Sequence, residues 1–185
     1  VSGAGVGGVE PAGGPKAASF GRNDGLSDRI DASTRTTVGA ITSGGRAVSA
    51  SVAGLDPVAG RSRGSGVGDA FGLERGETLL RLVTPASSAD DDGGAAAPLL
   101  HVSARGQAKR IVVEELVGTR PGQPATTPKD GDSLVAAFPA ADDTDVVIVA
   151  SDAQALRTSA ANIPVQGRTA GGVVGMKLAA GATVV

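Results

Sequence analysis

Val102-Ser-Ala-Arg-Gly106-Gln-Ala-Lys-Arg110 is the stretch on which the fold turns, because the chain carries it three times. Ile41-Thr-Ser-Gly-Gly45-Arg-Ala-Val-Ser49 and Val149-Ala-Ser-Asp-Ala153-Gln-Ala-Leu-Arg157 superimpose on it without a gap. Each copy reads as a strand, a tight turn and a returning strand. Ten residues past the turn position stand Leu55, Leu116 and Ile163, the same offset in all three. A glycine- and arginine-rich loop follows: Gly60-Arg-Ser-Arg-Gly64, Gly118-Thr-Arg-Pro-Gly122 and Gly167-Arg-Thr-Ala-Gly171. Each unit then closes on a further strand, opened by Gly76-Glu-Thr, Gly131-Asp-Ser and Gly181-Ala-Thr, with closing glycines 55 and 50 residues apart.

A period near 50 residues with about four strands per unit is the pattern of propeller-like blades. The expected strands are 38–42, 47–52, 78–83, 99–103, 109–113, 133–138 and 146–150, each bounded by Gly, Pro, Asp or Ser. No apolar stripe of helical period persists for three turns. The fold class is therefore all-β, with about three blades and two flanking part-blades. The repeat units run about 38–84, 98–138 and 145–185 within a domain of 26–185, preceded by a flexible Gly/Pro-rich segment over 1–25. Asp28-Arg-Ile-Asp-Ala32 reads as the closing strand of an earlier blade, and Asp90-Asp-Asp-Gly-Gly-Ala as a solvated insertion between units. The first residue is Val, so the chain is expected to be a fragment or a processed piece.

Composition narrows the chemistry. Three Phe, no Trp and no Tyr exclude an aromatic stacking platform for single strands and any tyrosine nucleophile. Without cysteine there is no disulfide framework and no thiolate metal site, which fits a reducing compartment. Seventeen Lys and Arg against nineteen Asp and Glu leave a net charge of −2, so only the placement of charge can reveal a polyanion partner. No run is long enough to span a membrane, and Val1–Gly8 has neither the basic nor the apolar region of a signal peptide.

Several motif matches have a simpler reading. Gly60-Arg-Ser62-Arg-Gly64 fits G-x-S-x-G, but that elbow needs a following helix, and none is expected here. His101 is the only histidine, so a ligand or triad cluster has no second member; it reads as a strand residue facing solvent or satisfied by a neighbour. Gly3-Ala-Gly-Val-Gly-Gly8 lacks the preceding strand of a dinucleotide site. Asp142, Asp143 and Asp145 lack calcium-loop spacing and read as a solvated acidic turn. No catalytic residue, metal or cofactor is expected.

What remains is recurrent positive charge. Arg61, Arg63, Arg120 and Arg168 fall in the same loop of successive units, while Arg46, Arg105, Lys109, Arg110 and Arg157 lie around the hairpins. Stacked blades would set the repeated loops along one rim as a basic stripe. Such a stripe suits a bent duplex, contacted at its phosphates without regard to sequence and with steep salt dependence. Arg61, Arg63, Arg120 and Arg168 are the first candidates for phosphate contact; Arg46, Lys109, Arg110 and Arg157 come next.

Ile163-Pro-Val-Gln-Gly-Arg-Thr-Ala-Gly-Gly-Val-Val-Gly-Met-Lys-Leu178, following Val147 to Arg157, closely resembles the repeated element in the C-terminal domain of the larger, DNA-cleaving subunits of bacterial type IIA topoisomerases, the family of DNA gyrase A and its topoisomerase IV counterpart. The other two units match more loosely, and the resemblance covers about residues 28–185. It implies a β-pinwheel, a ring of strand-exchanging blades that binds and bends duplex DNA around its edge. It further implies a place in an ATP-dependent type II topoisomerase, with a separate B-type ATPase chain as partner, a homodimeric state for the intact protein, and a bacterial cytoplasmic, nucleoid-associated location. Catalysis would then fall to a tyrosine in an upstream domain. The gyrase signature box Gln-Arg-Arg-Gly-Gly-Lys-Gly has its nearest counterpart in Glu10-Pro-Ala-Gly-Gly-Pro-Lys16, where Pro11 and Ala12 replace both arginines. That degenerate box implies a topoisomerase IV-like protein or a divergent gyrase paralogue, and weaker wrapping. The alternatives are a protein-interaction propeller with an incidental basic rim, and a hydrolase using Ser62 and His101.

Overall fold

A computed structural model describes residues 6–7, 28–55, 57, 65–84, 96–116, 120 and 122–185. Three hairpins form where the sequence repeats. β2 (Thr37–Thr42) pairs with β3 (Arg46–Ser51), β6 (Leu99–Ser103) with β7 (Gln107–Ile111), and β10 (Asp145–Val149) with β11 (Ala155–Ser159). Their registers coincide: Ile41 faces Ala47, Val102 faces Ala108 and Val149 faces Ala155. The turns coincide too, for the amides of Gly45, Gly106 and Ala153 donate to the carbonyls of Thr42, Ser103 and Ala150 at 2.9, 3.0 and 3.0 Å. These residues have φ of 79°, 76° and 66°, the left-handed conformation that lets a short loop follow the strand twist. Glycine adopts it without strain in two copies, whereas Ala153 carries a Cβ there.

Around two of the hairpins stand four-stranded antiparallel sheets. The first has the order β5 (Leu79–Val83), β2, β3, β8 (Gln123–Pro124); the second has β9 (Leu134–Pro139), β6, β7, β12 (Val173–Val174). β8 precedes β9 in the chain yet joins the earlier hairpin, and β12 likewise joins the second hairpin from the third unit. Each unit thus lends a two-residue strand to the blade before it, which is the expected strand exchange. At the start of the chain, β1 (Val6–Gly7) pairs with β4 (Ser65–Gly66) in the same antiparallel sense. The third hairpin gains its closing partner through a bridge between Ala150 and Val184. Backbone bonds tie the blades in sequence: Leu134 donates to the Ser43 carbonyl at 2.8 Å and Val184 to the Ala104 carbonyl at 2.9 Å.

The core consists of two apolar layers between blades. One joins Ile41, Ala47 and Val83 to Leu99, Ile111, Val113, Leu116 and Leu134. The other joins Leu100, Val102 and Ala108 to Val146, Ile148, Ile163, Met176 and Val184. Alanine recurs in both, so small aliphatics suffice because the sheets approach closely.

Most expected strands appear with ends shifted by one or two residues. The largest displacement is at 109–113: the strand begins at Gln107 and stops at Ile111, because Val113–Glu115 turns into a 3-10 helix. A short helix, α1 (Val67–Phe71), corrects the expectation that none follows Gly64. One turn forms between β4 and β5 and ends at Gly72, which is left-handed and donates to the Gly68 carbonyl. Asp28–Ala32 forms no strand; instead the Asp28 carboxylate accepts from the Leu82 amide at 2.8 Å and pairs with Arg81 at 3.2 Å. The acidic insertion at Asp90, the degenerate box over 10–16, and Ser62 lie outside the described residues. Among the described residues, no helix is long and apolar enough to cross a membrane.

Candidate nucleic-acid interface

The loop before β8 ends at Gly122 and the loop before β12 ends at Gly172, both with positive φ. Gly122 and Gly172 therefore mark equivalent positions, each followed by its short strand. On that register Arg120 corresponds to Ala170, not to Arg168: six residues separate Leu116 from Gly122, but nine separate Ile163 from Gly172. The arginines share a loop without sharing a position.

They nevertheless converge. The Arg120 carbonyl accepts from the Gln123 amide at 3.2 Å, and the Arg168 guanidinium donates to Gln123 Oε1 at 2.9 Å. Gln123 on β8 thus brings together loops from two successive units. Arg120 is exposed and Arg168 half-buried. Arg61 and Arg63 lie outside the described residues.

The 167–170 loop is anchored from below. Lys109, on β7, is 1% exposed, and its Nζ donates to the carbonyls of Gly167 (2.9 Å), Arg168 (3.2 Å) and Ala170 (2.9 Å). An ammonium has three donors and no acceptor, so these carbonyls satisfy it in full. Burial pushes Lys109 down to about 8, with Glu115 acting in the opposite sense. Thr126 Oγ1 also donates to the Ala170 carbonyl at 3.2 Å, and the Arg168 amide donates to Glu115 Oε2 at 3.2 Å.

Three other candidate cations are engaged internally. Arg110 is 4% exposed; it donates to the carbonyls of Ile163 (2.8 Å) and Ala140 (3.3 Å) and to Asp142 at 2.6 Å. Lys109 and Arg110 therefore present no surface to a phosphate, which corrects their placement on the rim. Their position on the middle hairpin, covered on both faces, is the reason. Arg46 forms a paired contact with Glu77, whose carboxyl it holds at about 2, well below the usual range. Arg157 is exposed and pairs with Asp145, which raises its already high pKa. The acidic turn at 142–145 thus serves Arg110 and Arg157.

His101, opposite Lys109 across β6 and β7, is 1% exposed, and neither ring nitrogen has a partner in the protein. The expectation of a solvent-facing or satisfied histidine is corrected: the face of β6 that would meet solvent in an isolated hairpin is covered here. Burial, and then the charge of Lys109, push its imidazole down to about 3, so it stays neutral at physiological pH. Among the described residues no group of three or more His, Asp or Glu is placed to hold a metal.

The search for arginine-rich loops overlooked a second set of cations. Arg75, Lys129 and Lys177 are exposed and fall within four residues before the closing glycines Gly76, Gly131 and Gly181. The glycine spacing was the available signal. Arg105, at the second hairpin tip, donates to the Asp130 carbonyl at 3.1 Å, next to Lys129 in the chain.

Residues 99–141 and 144–185 each match the model of the DNA gyrase C-terminal domain, beta-propeller. Among solved structures, the C-terminal domain of DNA topoisomerase IV superimposes with a TM-score of 0.77 at 19% identity, covering 90% of this chain and 51% of that one. The E. coli ParC C-terminal domain gives 0.72 at 14% identity, covering 98% and 74%. A DNA gyrase A C-terminal domain gives 0.59 at 21% identity, covering 82% and 49%. The chain thus spans about half the length of the first of these. No curated protein matches it in sequence.

Proposed function

Since residues 99–141 and 144–185 place the chain in the DNA gyrase C-terminal domain family, we propose that it binds duplex DNA along its outer rim without regard to sequence, and bends it in support of a topoisomerase's change of DNA topology. The observation that carries this reading is the meeting of Arg120 and Arg168 at Gln123. Repeated units put successive cations on one edge, which a near-neutral average charge conceals. Phosphate contacts there are made by Arg120, Arg168 and Arg157, with Arg61 and Arg63 in the corresponding loop of the first unit, and with Arg75, Lys129 and Lys177 extending the surface. Bending a duplex of a few turns costs on the order of several kcal/mol, which many such contacts offset together.

The whole protein on this reading belongs to an ATP-dependent type II topoisomerase of the bacterial cytoplasm; it is homodimeric and works with a separate ATPase chain. Supercoiling, relaxation and decatenation are the activities that such a domain serves. Salt-titrated binding to a linear duplex tests the proposal. The expected result is a steep linear fall of log K with log salt, whose slope drops by about one for each of Arg120→Ala and Arg168→Ala. Absence of binding at low salt overturns it in favour of a protein-interaction propeller.

A further inference from the structure

We infer that Lys109 is a positioning residue for DNA binding: it holds the 167–170 loop, and through it Arg168, at the rim without touching DNA itself. The inference rests on the proposed duplex reading and names the device that sets one of its contacts.

The three hairpins carry Val48, Lys109 and Leu156 at this position, so the lysine is not demanded by the blade itself. What distinguishes the second blade is the loop laid against it, which has three more residues between Ile163 and Gly172 than lie between Leu116 and Gly122. A longer loop adds backbone carbonyls that the sheet ladder does not satisfy. Lys109 Nζ meets three of them, at Gly167, Arg168 and Ala170, including the carbonyl of Arg168 itself. From the other side, Glu115 accepts from the Arg168 amide and Thr126 donates to the Ala170 carbonyl. The backbone of Arg168 is thus fixed at both its amide and its carbonyl, and its guanidinium is set on Gln123 of the neighbouring unit. A guanidinium held in this way loses less rotamer freedom on meeting a phosphate than one on a loose loop.

A double-mutant cycle on the whole chain, with duplex affinity and thermal midpoint measured together, tests the assignment. R168A is expected to weaken binding about tenfold at low salt and to lower the salt slope by about one. K109M is expected to weaken binding several-fold in the parent and to have no effect in the R168A background, because it acts through Arg168. T126V, which removes the second donor to the Ala170 carbonyl while keeping the side-chain volume, is expected to shift affinity in the same direction by a smaller factor and again only when Arg168 is present. It serves as the measurement if K109M fails to fold. Equal weakening by the latch variants with and without Arg168 overturns the inference, as does unchanged affinity in the K109M or T126V chain while R168A weakens binding. If R168A leaves binding of the parent chain intact, the inference falls for a different reason, since Arg168 then contacts no phosphate.

Discussion

The second and third hairpins share one template and live in opposite surroundings. β6–β7 is covered on both faces, every residue of β6 being buried, whereas β10 alternates between buried and exposed residues. Equivalent positions diverge accordingly. Leu100 is 0% exposed and its counterpart Val147 is 59% exposed. Arg110 is buried among carbonyls, while Arg157 stands in solvent beside Asp145. The same arginine in the same register is structural in one blade and available in the next. Place in the array, more than residue type, decides what a charge does.

The contrast has measurable consequences. Leu100→Ala leaves a hole between two layers and is expected to cost about 2–5 kcal/mol in chemical unfolding, whereas Val147→Ala changes stability by about 0.5 kcal/mol or less. Similar losses for both would break the comparison. His101 sharpens it at low pH. Its pKa lies at about 3 in the fold against 6.5 for the free side chain, so the unfolded chain takes up a proton first. The stability it supports is complete above about pH 6.5 and is lost as pH falls towards 3, by about 3 kcal/mol at pH 4 relative to neutrality. The difference between the parent chain and His101→Leu in denaturant midpoints across that range isolates it from the carboxylates; parallel curves would refute the buried neutral imidazole. At the third hairpin the equivalent residue is Ile148, which has nothing to titrate. Smaller still, Arg110→Met is expected to cost about 2 kcal/mol, because it strands the Ile163 and Ala140 carbonyls. Arg157→Met is expected to leave the denaturant midpoint unchanged, as exposed ion pairs add little to stability, yet to weaken duplex binding. Reversal of that order would place the binding surface elsewhere.

Much of the fold was legible because turns repeat more faithfully than strands. Gly45, Gly106 and Ala153 mark one backbone conformation, and counting from them locates three hairpins and three closing turns. The candidate site was less legible for a physical reason. Charge on a strand is read from sequence as solvent-facing, but Lys109 and Arg110 find carbonyls supplied by residues more than fifty positions away, and nothing local announces those partners. Arg120 and Arg168 looked equivalent because each sits in a Gly/Arg loop; only the register of β8 and β12 shows that three intervening residues displace one against the other. The one-turn α1 escaped a criterion that demands a stripe over several turns.

The borrowed strands β8 and β12 make the units mutually dependent in a way that simple stacking does not. A sheet that takes its outer strand from the following unit cannot complete its hydrogen bonds until that unit is present, so each interface is both packed and threaded. Repeat arrays ordinarily unfold with terminal units fraying from the rest, their stability a sum of unit and neighbour terms. Here the neighbour term includes a strand, so a backbone cut between β7 and β8 would leave two pieces still joined through β8 lying on β3. The chain is built to remain one cooperative body after a nick in its own connecting loop.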